Sequence, residues 1–164
     1  MIRTAETGGI GNETIGYWSL LIGLIATALS FTSCQSDIVY SQFMPIPSEK
    51  WDVDSVAQFD YPIEDTHAAY RMLIYVRHTE RYPYQNMWLF VDDNGHRDTI
   101  EFYLADVRGQ WLGNRQHGFI EMPVLYEDGK QFADTGHYTL TVQHGMRDTL
   151  LRGITDIGME IRKQ

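Results

Sequence analysis

The sequence predicts an all-β fold, an antiparallel β-sandwich of about seven to eight strands, and three observations predict it. Apolar and polar residues alternate at period two in several short runs, Gly, Asn, Asp and Pro punctuate those runs, and no helical period competes with them. With no crossover helices between the strands, an antiparallel arrangement is favoured over a parallel sheet, a closed barrel being the other architecture such strands allow.

The first element is not a strand. Leu20 to Leu29 is a compact apolar run of the length of a signal-peptide core, well short of the roughly 20 residues a spanning helix needs. It leads into Ser30-Phe31-Thr32-Ser33-Cys34. Small residues directly before a cysteine let an extended backbone enter a peptidase cleft and present the thiol for acylation, and the pattern resembles a bacterial lipobox. Cys34 is the only cysteine, so it has no disulfide partner within the chain. The basic region expected ahead of the apolar run is weak, with Arg3 set against Glu6 and Glu13, which puts the start at Met1 in question. The expected organisation is a lipoprotein signal peptide over 1–33, a lipidated Cys34 with an extended tether over 34–50, and the sandwich over 51–164.

Removing the leader leaves about 130 residues, enough for one domain with a real core. The whole chain carries a net charge of −9, and the leader takes away only Arg3, Glu6 and Glu13. So acidic a chain makes nucleic acid an unfavourable partner. It also has no polybasic grip on anionic lipid, which leaves membrane attachment to the acyl chains on Cys34.

The strands follow in order. Residues 35–50 contain Pro45 and Pro47 and show no sustained period, which reads as the tether. Trp51, Val53, Ala57, Phe59 and Tyr61 alternate with acids and Gln58 as a half-buried strand ended by Pro62. Tyr70, Met72, Ile74 and Val76 form the next, and Met87 to Val91 the third. Asp93-Asn94-Gly95 tolerates the positive φ angles of a tight hairpin, so Thr99 to Leu104 pairs back on its predecessor. Phe119 to Tyr126, a turn at Glu127-Asp128-Gly129-Lys130, Tyr138 to Val142 and Ile157 to Ile161 complete the set.

Catalytic groups are scarce. The last serine is Ser55, so a buried Ser-His-Asp triad has no nucleophile in the later strands. Lys50, Lys130 and Lys163 lie near turns or ends, and none follows a phosphate-binding Gly-rich loop. His67, His78, His96, His117, His137 and His144 show no metal-ligand spacing and read as surface or turn residues. The acidic pairs Asp92-Asp93 and Glu127-Asp128 fall in expected turns. No catalytic residue, metal, cofactor or small-molecule substrate is expected. The aromatics Tyr82, Tyr84, Trp88 and Trp111 are the suggestive remainder, because rings beside small polar residues bind sugars or proteins. The competing reading puts Trp88 in the core and Trp111 at an edge of the sandwich.

Tyr82-Pro83-Tyr84-Gln85-Asn86-Met87-Trp88-Leu89-Phe90, Leu104-Ala105-Asp106, Gly109-Gln110-Trp111-Leu112-Gly113 and Met146-Arg147 through Gly153-Ile154-Thr155-Asp156-Ile157-Gly158 stand in that order. The chain thereby resembles the GldH family, gliding-motility lipoproteins of Bacteroidetes, over roughly Pro45 to Ile161. The resemblance implies a lipid-anchored, non-enzymatic envelope protein tied to adhesin movement and type IX secretion, whose partners are other envelope proteins of that machinery. Gln35, not an acid, follows Cys34, and only Asp37 is acidic nearby, which resembles an outer-membrane lipoprotein facing the periplasm. Trp111, Asp106, Met146, Arg147 and Asp156 are the candidate partner-binding residues. The alternative is a glycan- or peptidoglycan-binding sandwich using Trp111, Tyr82 and Tyr84.

Overall fold

A computed structural model describes residues 37–164, and over them the alternation is carried by eleven strands and one 3-10 turn. In order these are β1 (Ile38–Pro45), the 3-10 turn (Pro47–Glu49), β2 (Lys50–Asp52), β3 (Ala57–Ile63), β4 (Tyr70–His78) and β5 (Asn86–Asp93). Then come β6 (His96–Tyr103), β7 (Asn114–Arg115), β8 (Ile120–Lys130), β9 (Gly136–His144), β10 (Leu150–Arg152) and β11 (Ile154–Lys163). They build a five-stranded sheet in the order β1-β11-β4-β8-β7, a four-stranded sheet in the order β3-β9-β5-β6, and a ribbon of β10 with β2. Every pairing is antiparallel.

The two larger sheets share one core. In β3, Ala57, Phe59, Tyr61 and Ile63 are buried while Gln58, Asp60 and Pro62 are exposed, and β4 and β5 alternate in the same way. Phe59, Met87, Leu89, Leu140 and Val142 of the four-stranded sheet join Met72, Ile74, Val76, Ile157, Met159 and Ile161 of the other in one buried cluster. Burying each such side chain is worth roughly 1.5–3 kcal/mol. A slip of one residue would turn a whole row to water, so the core sets the register. The Asn94-Gly95 hairpin forms as expected, with φ of 51° and 87° and Asp93 opposite His96.

Several expectations are corrected. Residues 38–45, expected in the tether, form β1 at the edge of the five-stranded sheet, paired with β11 from Ile38↔Arg162 to Pro45↔Asp156. An edge strand that sends only Tyr40 and Met44 to the core needs no regular alternation, which is why no period announced it. The sandwich therefore begins at Ile38 rather than Trp51. The run from Trp51 to Tyr61 is two strands, parted by a turn in which Ser55 N–H donates to the Asp52 carbonyl (3.0 Å). Pro62 lies inside β3 instead of ending it, because β3 is a sheet edge where a missing N–H costs nothing. Glu127 to Lys130 continue β8, whose register shifts against β4 leave Tyr126 and Gly129 as bulged residues. Cys34 and the leader lie outside the described residues.

One polar group ties the two layers together, and one ring contact closes the five-stranded sheet over β11. Asp93, buried rather than in an exposed turn, accepts from the Tyr61 hydroxyl (3.1 Å) and pairs with the Lys130 ammonium from the other sheet. Burial and the Asp93 charge push the Tyr61 phenol up, so it stays a donor. In the five-stranded sheet Phe43, Gly158 and Tyr75 stand side by side across β1, β11 and β4. The Phe43 ring lies so close over Gly158 that a Cβ there would collide with it. The Arg77 guanidinium stacks on the Phe43 ring at 3.6 Å.

Because the strands alternate in direction, their connections gather at two ends. The end where β1 begins holds the 63–70 and 130–136 connections, the Asn94-Gly95 hairpin, Lys163 and Gln164. The opposite end holds the 45–50, 78–86, 103–120 and 144–154 connections.

Lys130→Met leaves Asp93 buried without its cation and is expected to cost about 3–5 kcal/mol in a denaturant melt. Gly158→Val displaces Phe43, so amide hydrogen exchange is expected to accelerate over residues 38–45 while β5 and β6 stay protected.

Candidate interaction surface

The five residues singled out as partner-binding all fall at the end opposite the start of β1. Asp106 and Trp111 lie in the 103–120 connection, Met146 and Arg147 follow β9, and Asp156 stands near the start of β11 between Pro45 and Arg77. One end is shared, but not one site. Asp156 belongs to the five-stranded sheet, whereas Met146 and Arg147 border the four-stranded one.

Asp106 and Trp111 work together as loop builders. One Asp106 carboxylate oxygen accepts from the N–H groups of both Arg108 and Gln110 (2.8 Å each), and its carbonyl accepts from Gly109 (2.9 Å). That Asp-organised turn folds the chain back so that Trp111 bridges to Ala105. The half-buried indole then packs edge-on against His78 at 4.7 Å and beside Tyr82 at 6.4 Å. Trp111 thus fills the edge of the sandwich. Tyr82 is 3% exposed, and its hydroxyl donates to the Asn86 carbonyl (2.7 Å). Tyr82, Tyr84 and Trp111 therefore offer no common ring platform to a sugar.

His78 and His144 correct the surface reading of the histidines, for both are fully buried. His78 Nδ1–H donates to the Thr79 carbonyl (3.1 Å) and His144 Nε2–H to the Trp51 carbonyl (3.2 Å). The other nitrogen of each ring has no partner. Burial pushes both imidazoles down, so they stay neutral.

The accessible chemistry lies beside them. Tyr84, Asn86, Trp88, Gly145, Met146 and Arg147 line a depression of about 400 Å³ at the edge of the four-stranded sheet. The chain after β9 runs on alongside β5. Gly145 N–H donates to the Trp88 carbonyl (2.7 Å), and Trp88 N–H is received by the Met146 thioether (3.4 Å). Tyr84 is fixed as a wall by donating to Asp148 (2.9 Å), and that bond raises its phenol. Trp88, 38% exposed, points outward from a strand whose Met87, Leu89 and Val91 point in. The core reading of Trp88 is thereby overturned. Phe90 and Tyr103 are exposed on the same sheet.

Charge is distributed unevenly. Among the described residues, Lys50, Arg108, Arg147 and Arg152 have no carboxylate at ion-pairing distance, and all four lie at this end. An exposed indole, a soft thioether and an unpaired guanidinium are groups that protein interfaces concentrate. Among the described residues no group of three His, Cys, Asp or Glu side chains could hold a metal ion, and no helix is long and apolar enough to cross a membrane.

Comparison with known proteins agrees over the same span. Residues 38–161 match the family model described as GldH lipoprotein. A gliding motility lipoprotein GldH homolog of Christiangramia forsetii is 29% identical over 151 residues, covering 85% of this chain and 92% of the relative. The gliding motility lipoprotein GldH of Flavobacterium johnsoniae is 28% identical over 153 residues, covering 86% and 94%. Among solved structures, dimeric latent PorU of Porphyromonas gingivalis aligns with 80% of this chain and 14% of its own at a TM-score of 0.38 and 9% identity, too distant to carry an argument.

The two buried imidazoles make stability depend on pH. Their native pKa values lie below the unfolded value of about 6.5, so the unfolded chain binds more protons in acid. Their contribution is complete above about pH 6.5 and is lost as the pH falls from there towards the lowered native values. Each histidine adds up to about 1.4 kcal/mol per pH unit within that window. His144→Phe keeps a ring against Trp51 and is expected to remove one histidine's share of the slope in urea melts taken across pH 5 to 7.5, an on-the-order-of halving of the two-histidine term.

Proposed function

The chain belongs to the GldH lipoprotein family, and from that premise we propose that it is a non-enzymatic accessory component of the gliding-motility or type IX secretion-associated machinery. It acts by binding other envelope proteins. Cys34 is the acylated residue, and the acyl chains alone hold the protein, since a net charge of −9 offers no basic grip. Gln35 after the cysteine favours the outer membrane, facing the periplasm.

The observation that carries the binding role is the depression with Trp88, Met146 and Arg147 on its rim. Met146 and Arg147 remain the contact residues expected from the sequence, and Trp88 and Tyr84 join them. Trp111 and Asp106 act one step back, by shaping the neighbouring loop. A second reading, stacking of a glycan, is favoured by the exposed Trp88, Phe90 and Tyr103 on one sheet.

The test is a pull-down of C-terminally tagged protein from native envelopes, with a photo-crosslinking residue at position 149, which is exposed two residues beyond Arg147. Lysine chemistry is unsuitable because only Lys50, Lys130 and Lys163 are present. Specific envelope proteins are expected to crosslink to the wild type and to be lost with Cys34→Ser. Trp88→Ala combined with Arg147→Glu is expected to lower capture about tenfold or more, as for interface hot spots, with an unchanged far-ultraviolet spectrum. Full capture by that double variant would sink this surface, and a tryptophan fluorescence shift on titration with cell-wall fragments would favour the glycan reading.

A further inference from the structure

We infer that the anchored protein stands end-on, with the end of the sandwich where β1 begins against the lipid headgroups and the Trp88–Met146–Arg147 depression turned away from the bilayer. This inference rests on the acylation of Cys34 proposed above. Cys34 precedes Asp37 by three residues, which span at most about 10 Å even when fully extended. Asp37 is itself fixed, because its carbonyl accepts from Lys163 N–H at 2.7 Å and the next residue, Ile38, pairs with Arg162 of β11. The acylated residue is therefore within about 10 Å of one defined point on the domain.

The opposite end lies one strand length away. β4 runs from Tyr70, beside Lys163, to His78, and its nine residues measure about 30 Å. Three residues of chain cannot let the domain swing through that distance, so the end nearest the anchor is the one that meets the headgroups. Charge does not draw it there. Lys163 pairs with Asp65, Arg71 with Asp128, Arg162 with Glu160, Lys130 with Asp93 and Arg97 with Asp92, while among the described residues Asp37, Glu64 and Asp134 have no cation at ion-pairing distance, so the short tether sets the placement. Ile38 and Val39, 38% and 42% exposed, supply apolar side chains at the rim next to the anchor. The unpaired Lys50, Arg108, Arg147 and Arg152 stand at the end that the tether holds away from lipid phosphate.

The test uses the full acylated protein reconstituted in vesicles of phosphatidylethanolamine and phosphatidylglycerol that contain a nickel-chelating lipid. Ala133→Cys places a spin label at the near end and Gln116→Cys at the far end, both at exposed positions. Headgroup nickel is expected to broaden away the signal at 133 and leave that at 116 unchanged. Equal broadening at both sites, or stronger broadening at 116, in protein that is acylated and floats with the vesicles overturns the orientation. A flexible Gly-Ser linker of about 20 residues inserted after Ser36, with a reach of roughly 25 Å, is expected to erase the difference, and its persistence would show that the short tether does not set the orientation. Mass spectrometry of the Cys34 peptide separates the premises, since unacylated protein in native envelopes overturns both the anchor and the orientation.

Discussion

β11 has to be covered on both faces, and the rest of the domain is arranged around that constraint. Ile157, Gly158, Met159, Glu160 and Ile161 are all buried. One row enters the shared core, as any strand of a sandwich would. The other row is closed within its own sheet, where Phe43 covers Gly158 and Glu160 is held by the Tyr75 hydroxyl and by Arg162. β1 supplies Phe43 and β4 supplies Tyr75, so the flanking strands are set by what β11 lacks.

The same logic explains the Gly153-Ile154-Thr155-Asp156-Ile157-Gly158 run. Gly153 has φ of +82°, and a side chain there would strike the backbone of Tyr82. Its N–H donates to the Glu49 carbonyl and its own carbonyl accepts from Thr79, both at 2.8 Å, so three connections meet on one residue. Together with Gly158 under Phe43, this makes the most distinctive stretch of the sequence a packing device. In the interaction proposed above, recognition falls instead to side chains that packing leaves uncommitted, such as Trp88 and Arg147.

Much of this was legible beforehand. The alternation in β3, β4 and β5 and the Asn94-Gly95 hairpin depend on local patterning, and local patterning reads directly from sequence. The burial of His78 and His144 was also present in the pattern, since each continues an inward row after Val76 and Val142, but residue type outweighed position. Of the two readings open to Trp88, the accessible one follows from the inward Met87 and Leu89 on either side of it. β1 was not legible at all, because its one partner strand lies more than a hundred residues away and its own side chains follow no period. The division between Trp111 as a loop filler and Met146 as a rim residue depends on tertiary contacts that no spacing encodes.

That distant pairing has a consequence for timing. Among the described strands β1 bonds only to β11, and β11 is the last of them to leave the ribosome. Until it arrives, residues 38–45 have no strand to join. Synthesis and closure are thereby placed in opposite order by topology alone: the first of the described strands to be made cannot be paired until the last of them is delivered.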